Sequence, residues 1–448
     1  MIYLFFSTVC LLCILSFLIC GQDILSPWFI TCAAYTVSAF VLALNYDKWD
    51  MPFQIDTMFI IIMGICAFGL GEIFARSRLF KGKNTSQAHT SQSILQRMDI
   101  RVNGIAIFFS CVIMLLTDIW DLRDTYRISL LAGNPGGYSL MLAYVRNITM
   151  YTTIDVGTPF VLKQLKYFCF ALAFFFVFLL IYDKVYKKYK FKVMYAIPVL
   201  LYTAQMILTT GRLVFLRAIV FIIIVSIILL RKQINFKAKV PFRYIAYAAL
   251  GAILFIFIFR FAGVLTGKSS RFSFLDNISL YIAGSLPAFD SFIHSAHMGS
   301  TSFGAETLVN FQRVFYKLGL ISDYNITSLE FINVYGMNFN TYTSLRRYIH
   351  DFGFFGMACI QFFLGWFYTR LYIHSARSEK SYLAIMIYGI VFFPIVLQQS
   401  EDQFFLSVLS TATFCELLYL ACIYWWFVIR KSHADLVKQK GIRKDTYE

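Results

Sequence analysis

Residues 213–230 read LVFLRAIVFIIIVSIILL, and only Arg217 and Ser226 in that stretch are not apolar. About 20 such residues in a helix cross the ~30 Å hydrocarbon layer of a bilayer. The stretch is therefore expected to be a membrane helix that carries an arginine within it. Comparable runs lie near 2–20, 27–45, 56–75, 103–120, 161–182, 193–210, 243–262, 352–372, 381–399 and 404–429, which makes eleven. The composition agrees, with 59% hydrophobic and 14% charged residues, against about a quarter charged in soluble domains. The expected fold is all-α, a polytopic integral membrane protein of about 11 transmembrane helices. The first run has neither a basic leader nor a small-residue cleavage site, so a cleaved signal peptide is not expected.

The net charge of +16 does not point to nucleic acid, because the basic residues cluster in short loops between apolar runs. Such loops face the cytoplasm. Arg76, Arg78, Lys81, Lys83, Arg97 and Arg101 fall in one, and Lys184, Lys187, Lys188, Lys190 and Lys192 in the next. Arg231, Lys232, Lys237, Lys239 and Arg243 follow in a third. Alternation then puts the N-terminus outside and leaves two long outer intervals, 121–160 and 263–345. The parts are residues 1–262 with eight helices, a large external loop at 263–351, three helices in 352–429, and a basic cytoplasmic tail at 430–448. Asp290 to His297 and Ala305 to Leu318 have the apolar spacing of short amphipathic helices within the large loop. The ten cysteines sit in or beside apolar runs and read as small hydrophobes.

The outer polar interval closes with NTYTSLRRYIHDFGFFG, Asn340 to Gly356. Charge at the mouth of a membrane helix is costly unless it is used. Arg212, Arg217, Arg260, Arg271, Arg346 and Arg347 all fall on the outer side, against the usual basic bias. Snorkelling, or pairing with Asp276 or Asp351, accounts for any one of them. Six together suggest a grip on phosphate oxygens, for which the planar guanidinium is suited. Arg346 with His350, and Arg347 with Asp351, stand four apart and share faces if the helix starts before Arg346. His350 or Asp351 is then a candidate base, and an Arg347–Asp351 pair that only caps the helix is the plainer alternative. Asp290, His294 and His297 have a metal-like spacing but lack a further strong ligand. Asp118, Asp121 and Asp124 read as a solvated helix face beside Arg123 and Arg127, and Glu416 as an inward-facing group in the last run. Gln398, Gln399, Glu401 and Asp402 read as an external turn. There is no Asp-x-Asp, no GxxxxGK[ST] and no GxSxG, so bound-metal nucleotide-sugar chemistry, ATP hydrolysis and a serine nucleophile elbow have no support.

The segment 340–356 resembles one in bacterial oligosaccharide repeat-unit polymerases of the Wzy type, where Asn-x-Tyr-Thr precedes Asp-Phe-Gly-x-x-Gly. Thr210-Gly211-Arg212, and Arg271 with Leu280-Tyr281-Ile282-Ala283-Gly284, resemble further segments of that family. The likeness spans roughly residues 200–375. It implies a glycosyltransferase-type polymerase of O-antigen, capsule or exopolysaccharide synthesis, at the periplasmic face of the bacterial inner membrane. The implied partners are undecaprenyl-pyrophosphate-linked oligosaccharides, membrane lipid, a chain-length regulator and a flippase. No cofactor or nucleotide is implied, and with no Asp-x-Asp the reaction is expected to be metal-independent. On this reading Arg212, Arg347, His350 and Asp351 are catalytic. Arg217, Arg260, Arg271, Tyr281, Tyr342 and Arg346 bind substrate. A lipid-linked oligosaccharide flippase and an O-antigen ligase are the rivals.

The topology is tested by single cysteines in a cysteine-free background and an impermeant thiol reagent. Cysteines within 263–345 are expected to label from outside intact cells, and one near residue 85 only after permeabilisation.

Overall fold

The computed structural model describes residues 1–80, 100, 102–151, 157–186, 192–209, 211, 213–234, 251, 273–295, 303–324, 328–377 and 382–430. Helices α1 (Ile2–Ile19), α2 (Pro27–Trp49), α3 (Ile55–Phe80), α4 (Gly104–Leu131), α5 (Met141–Tyr151), α6 (Phe160–Tyr186), α7 (Ala196–Leu208) and α8 (Leu213–Ile234) come first. They are followed by α9 (Phe274–Ala283), α10 (Ser285–Ile293), α11 (Val309–Lys317), α12 (Leu345–Arg377), α13 (Tyr382–Val391), α14 (Phe393–Val396) and α15 (Thr411–Tyr424). Eight of the described helices are long and apolar enough to cross a membrane. This is a multi-pass membrane protein.

Helix α4 shows why its solvent is lipid. Ser110, Met114, Thr117, Asp121, Asp124 and Ile128 are buried along one stripe. Phe108, Leu115 and Leu116 stand exposed on the other side. The polar stripe faces protein and the apolar stripe faces out, the reverse of a helix in water.

The chain divides into two compact units. One comprises Thr85–Lys268, Ser375–Ile390 and Ala412–Glu448. Its interior is aromatic: Phe170 stacks on Phe174 at 4.1 Å, and Phe174 meets Phe221 at 4.8 Å. The other comprises Met1–Asn84, Ser269–His374 and Val391–Thr411. Here α9 and α10 do not lie on the surface as loop decoration. Asp276 pairs with Lys48 near the end of α2. Ser38, ten residues back along α2, donates to the Ile282 carbonyl at 2.7 Å. Asp290 then takes the Gln54 N–H at 2.8 Å and the Thr57 hydroxyl at 2.6 Å. The segment thus dips about 15 Å along α2 and returns to cap the start of α3.

Glycines let α3 and α12 touch backbone to backbone. A Cβ on Gly71 would stand 2.0 Å from the Phe362 carbonyl oxygen, and one on Gly365 would stand 2.0 Å from that of Phe68. Small residues at such crossings replace the hydrophobic drive that lipid cannot supply. Opposite them, Glu72 is fully buried and takes the Ser26 hydroxyl, the Trp28 N–H and Arg76. It ties α3 to the start of α2.

Several expectations change. The runs at 193–210 and 381–399 form short apolar helices, and most of 243–262 lies outside the described residues. The large loop contributes α9 to α11 and one two-stranded hairpin, Ile332–Val334 with Met337–Phe339. Its two-residue turn has positive φ at Tyr335 and Gly336, as the twist of a tight hairpin requires. Arg76 lies within α3, paired with Glu72, because that helix continues to Phe80. Asp121 and Asp124 are buried, not solvated: Lys166 neutralises Asp121 at 2.7 Å and Arg127 neutralises Asp124.

Gly365→Ala is expected to lower the thermal midpoint of the detergent-purified protein through overpacking of about 1–3 kcal/mol or more. Gly104→Ala, where the nearest atom is 3.9 Å away, should cost little. Fluorescence-detected size exclusion after heating measures both.

Candidate functional site

The site is built at the start of α12, in the unit of Met1–Asn84, Ser269–His374 and Val391–Thr411. The helix begins at Leu345, so Arg346, Arg347, His350 and Asp351 are helical. Leu345 packs on Gly64, nine residues or about 14 Å along α3 from its start. The helix then breaks at Gly353, with φ 66° and ψ −174°, a region essentially confined to glycine. A Cβ on Gly356 would stand 2.2 Å from the Phe352 Cβ. The two glycines of Asp-Phe-Gly-x-x-Gly therefore answer different demands, one of conformation and one of space.

Both arginines are almost wholly buried, and both are already engaged. Arg346 pairs with Glu306 and donates through Nη2 to both oxygens of Glu330, at 2.8 and 2.7 Å. Its guanidinium lies 4.4 Å over the Phe292 ring and 5.4 Å over Tyr342. Arg347 donates to the Glu306 carbonyl at 3.2 Å and stands 4.0 Å from Glu401. Asp351 reaches from its helix to the segment before α11. Its Oδ2 accepts the backbone N–H groups of Glu306 and Thr307 at 3.0 and 2.6 Å, while Oδ1 faces His350 Nδ1 at 3.1 Å. The Thr307 hydroxyl donates back to the Arg347 carbonyl.

The turn at 397–402 is packed into the protein, with Gln398 and Asp402 buried and its other residues half-buried. The Gln398 carbonyl accepts the Tyr35 hydroxyl and the Ser344 N–H, and the Gln399 carbonyl accepts the Ser285 hydroxyl. A turn whose carbonyls are taken by three helices or their approaches has no need of water. It delivers Glu401 and Asp402 to the site. Asp402 Oδ1 accepts the Tyr348 hydroxyl at 2.8 Å and the N–H groups of Phe404 and Phe405. Burial nevertheless pushes its carboxyl up to about 6, against the lowering effect of Tyr348, Arg347 and those N–H groups. Burial also raises Glu401, with Arg347 opposing.

Of the other residues singled out from sequence, Tyr342 is buried and donates to the Glu330 carbonyl. Tyr281 is a partly buried residue of α9. Arg217 belongs to the other unit, where it pairs with Glu416 at 2.8 Å and lies 4.4 Å over the Phe170 ring. Glu416 is thus the inward-facing group expected, with a partner. Arg212, Arg260, Arg271 and His297 lie outside the described residues. Asp290 is committed to α3, and the His294 Nδ1 lies 2.8 Å from the Asp290 carbonyl oxygen, so their spacing reflects a helix cap and not a ligand set. Sequence reasoning missed Glu306, Glu330, the half-burial of Glu401 and the burial of Asp402. The available signal was that buried arginines demand carboxylates, but nothing in the spacing says which. No family profile, curated protein or solved structure matches the chain.

Because Asp402 keeps its proton to higher pH in the fold than in the unfolded chain, its contribution to stability is full below about 4. It is lost as pH rises through about 6. Asp402→Asn is expected to flatten the fall in thermal midpoint between those values, as measured by a pH series of melting curves.

Proposed function

We propose that the chain is a polymerase that joins lipid-pyrophosphate-linked oligosaccharide repeat units at the outer face of the bacterial inner membrane. The observation that carries this reading is the convergence of Arg346, Arg347, His350 and Asp351 in one turn and a half of buried helix. The same segment carries the resemblance to repeat-unit polymerases.

The reaction displaces a pyrophosphate from an anomeric carbon by a sugar hydroxyl. A base must take the hydroxyl proton, and cations must meet the charge that grows on the leaving group. His350 is partly exposed, and Asp351 Oδ1 faces its Nδ1. With Nδ1 protonated toward Asp351, Nε2 is the acceptor that takes the proton. Arg347 and Arg346 supply the cations. Glu330, 39% exposed at its side chain, is the partner of Arg346 that pyrophosphate oxygens displace. Glu306 stays to hold the guanidinium. Arg212 joins the cation set, as the resemblance implies. Arg217 is assigned instead to holding α8 to α15 through Glu416.

The test is incubation of purified protein with lipid-linked repeat units and a gel for ladders. Arg347→Ala and His350→Ala should each cut ladder formation by ~10²–10³ while the protein accumulates normally. Arg346→Lys should keep only a small residue of activity, since it loses the fork that matches phosphate oxygens. Transfer of a single unit to a lipid A core acceptor, without ladders, would instead identify a ligase. Near wild-type ladders from Arg347→Ala would remove that residue from the mechanism.

A further inference from the structure

In the proposed polymerase Asp351 orients His350 and Glu306 holds Arg346, but the approach of the second Glu306 oxygen to the same imidazole nitrogen has no part in that chemistry. Each carboxylate has one oxygen anchored and the other turned to the imidazole. Asp351 fixes Oδ2 on two backbone N–H groups and presents Oδ1 at 3.1 Å from His350 Nδ1. Glu306 fixes Oε2 on Arg346 and presents Oε1 at 3.6 Å from the same nitrogen. One ligand atom from each of the three residues lies within 4.8 Å of the others. An ion bound at ~2.0–2.2 Å to nitrogen and oxygen ligands holds neighbouring ligand atoms roughly 3.0–3.6 Å apart. The two edges that meet at His350 Nδ1 have that length, 3.1 Å to Asp351 and 3.6 Å to Glu306, and the third is no longer than 4.8 Å.

We propose that Glu306, His350 and Asp351 form a binding site for a divalent transition-metal ion. One imidazole and two carboxylates suit Zn²⁺, Co²⁺ or Mn²⁺ better than Ca²⁺, which takes six to eight oxygens. The local charge favours it. Among the described residues, Arg346 and Arg347 are the two arginines of the cluster, and they meet five carboxylates: Glu306, Glu330, Asp351, Glu401 and Asp402. The anchors of Glu306 and Asp351 act as the outer contacts that orient metal-ligating carboxylates. The ion takes the place of a proton at His350 Nδ1, and the proton is released. Metal and proton are therefore alternatives at this nitrogen. Where His350 serves as the base of the proposed reaction, the bound ion fixes the ring as a ligand and inhibits. A metal-independent reaction and a metal site are then compatible.

The experiment uses full-length protein in detergent, stripped with EDTA and titrated with Co²⁺ by visible spectroscopy and with Zn²⁺ by calorimetry. One saturable equivalent is expected, with Co²⁺ d–d bands but no sulfur-to-cobalt charge transfer, since none of the three ligands is a cysteine. Glu306→Gln and His350→Ala should each weaken binding at least about tenfold, with unchanged size-exclusion profiles. His294→Ala should bind as the unaltered protein does. Absence of saturable binding, or binding indifferent to both ligand substitutions, would overturn the site. Zn²⁺ is expected to suppress ladders and EDTA to restore them. Saturable binding that leaves ladders undiminished would uphold the site and remove the base role from His350.

Discussion

A guanidinium removed from water costs several kcal/mol unless a counter-charge and hydrogen bonds replace the solvent. The unit of Met1–Asn84, Ser269–His374 and Val391–Thr411 is organised around meeting that cost for Arg346 and Arg347. Glu306 comes from the segment before α11, Glu330 from the approach to the hairpin, and Glu401 from the turn after α14. Three separate stretches of chain are held where two adjacent side chains need them. The same rule repeats elsewhere. Glu72 and Arg76 close the junction of α2 and α3, and in the other unit Arg217 meets Glu416 while Lys166 meets Asp121. Each pair across elements fixes one helix against another, which apolar packing in lipid does only weakly.

Close backbone approach supplies the remaining rigidity. Gly71 and Gly365 bring α3 and α12 into contact, and Gly353 frees the first turns of α12 from the line of the rest. The break matters to chemistry. It lets His350 and Asp351 turn toward the 303–308 segment, whose N–H groups then hold the carboxylate. Charge, imidazole and backbone donors are thereby locked together by groups whose own positions are fixed.

Much of this was legible in the chain. The apolar runs set the membrane class, because crossing hydrocarbon demands length and composition before any contact is formed. The start of α12 at Leu345 meets the condition under which Arg346 with His350, and Arg347 with Asp351, share faces, whereas the break at Gly353 has no counterpart in the local pattern. The burial of Arg346 and Arg347 was foreshadowed by their place beside an apolar run. What local pattern misled on was the exposure of Asp121 and Asp124, because burial depends on partners such as Lys166, which lies 45 residues from Asp121.

The sequence by itself determined the solvent of this protein, the helical class and the identity of the arginine–histidine–aspartate turn. Only the tertiary structure decided that Glu306 and Glu330 grip Arg346, that Asp290 is a helix cap, and that Glu306 joins His350 and Asp351. The reason is range. Helix formation and hydrophobic length are properties of neighbouring residues, whereas a buried charge is balanced by whichever carboxylate the packing brings near. Glu306 stands 40 residues from Arg346, and no periodicity relates the two.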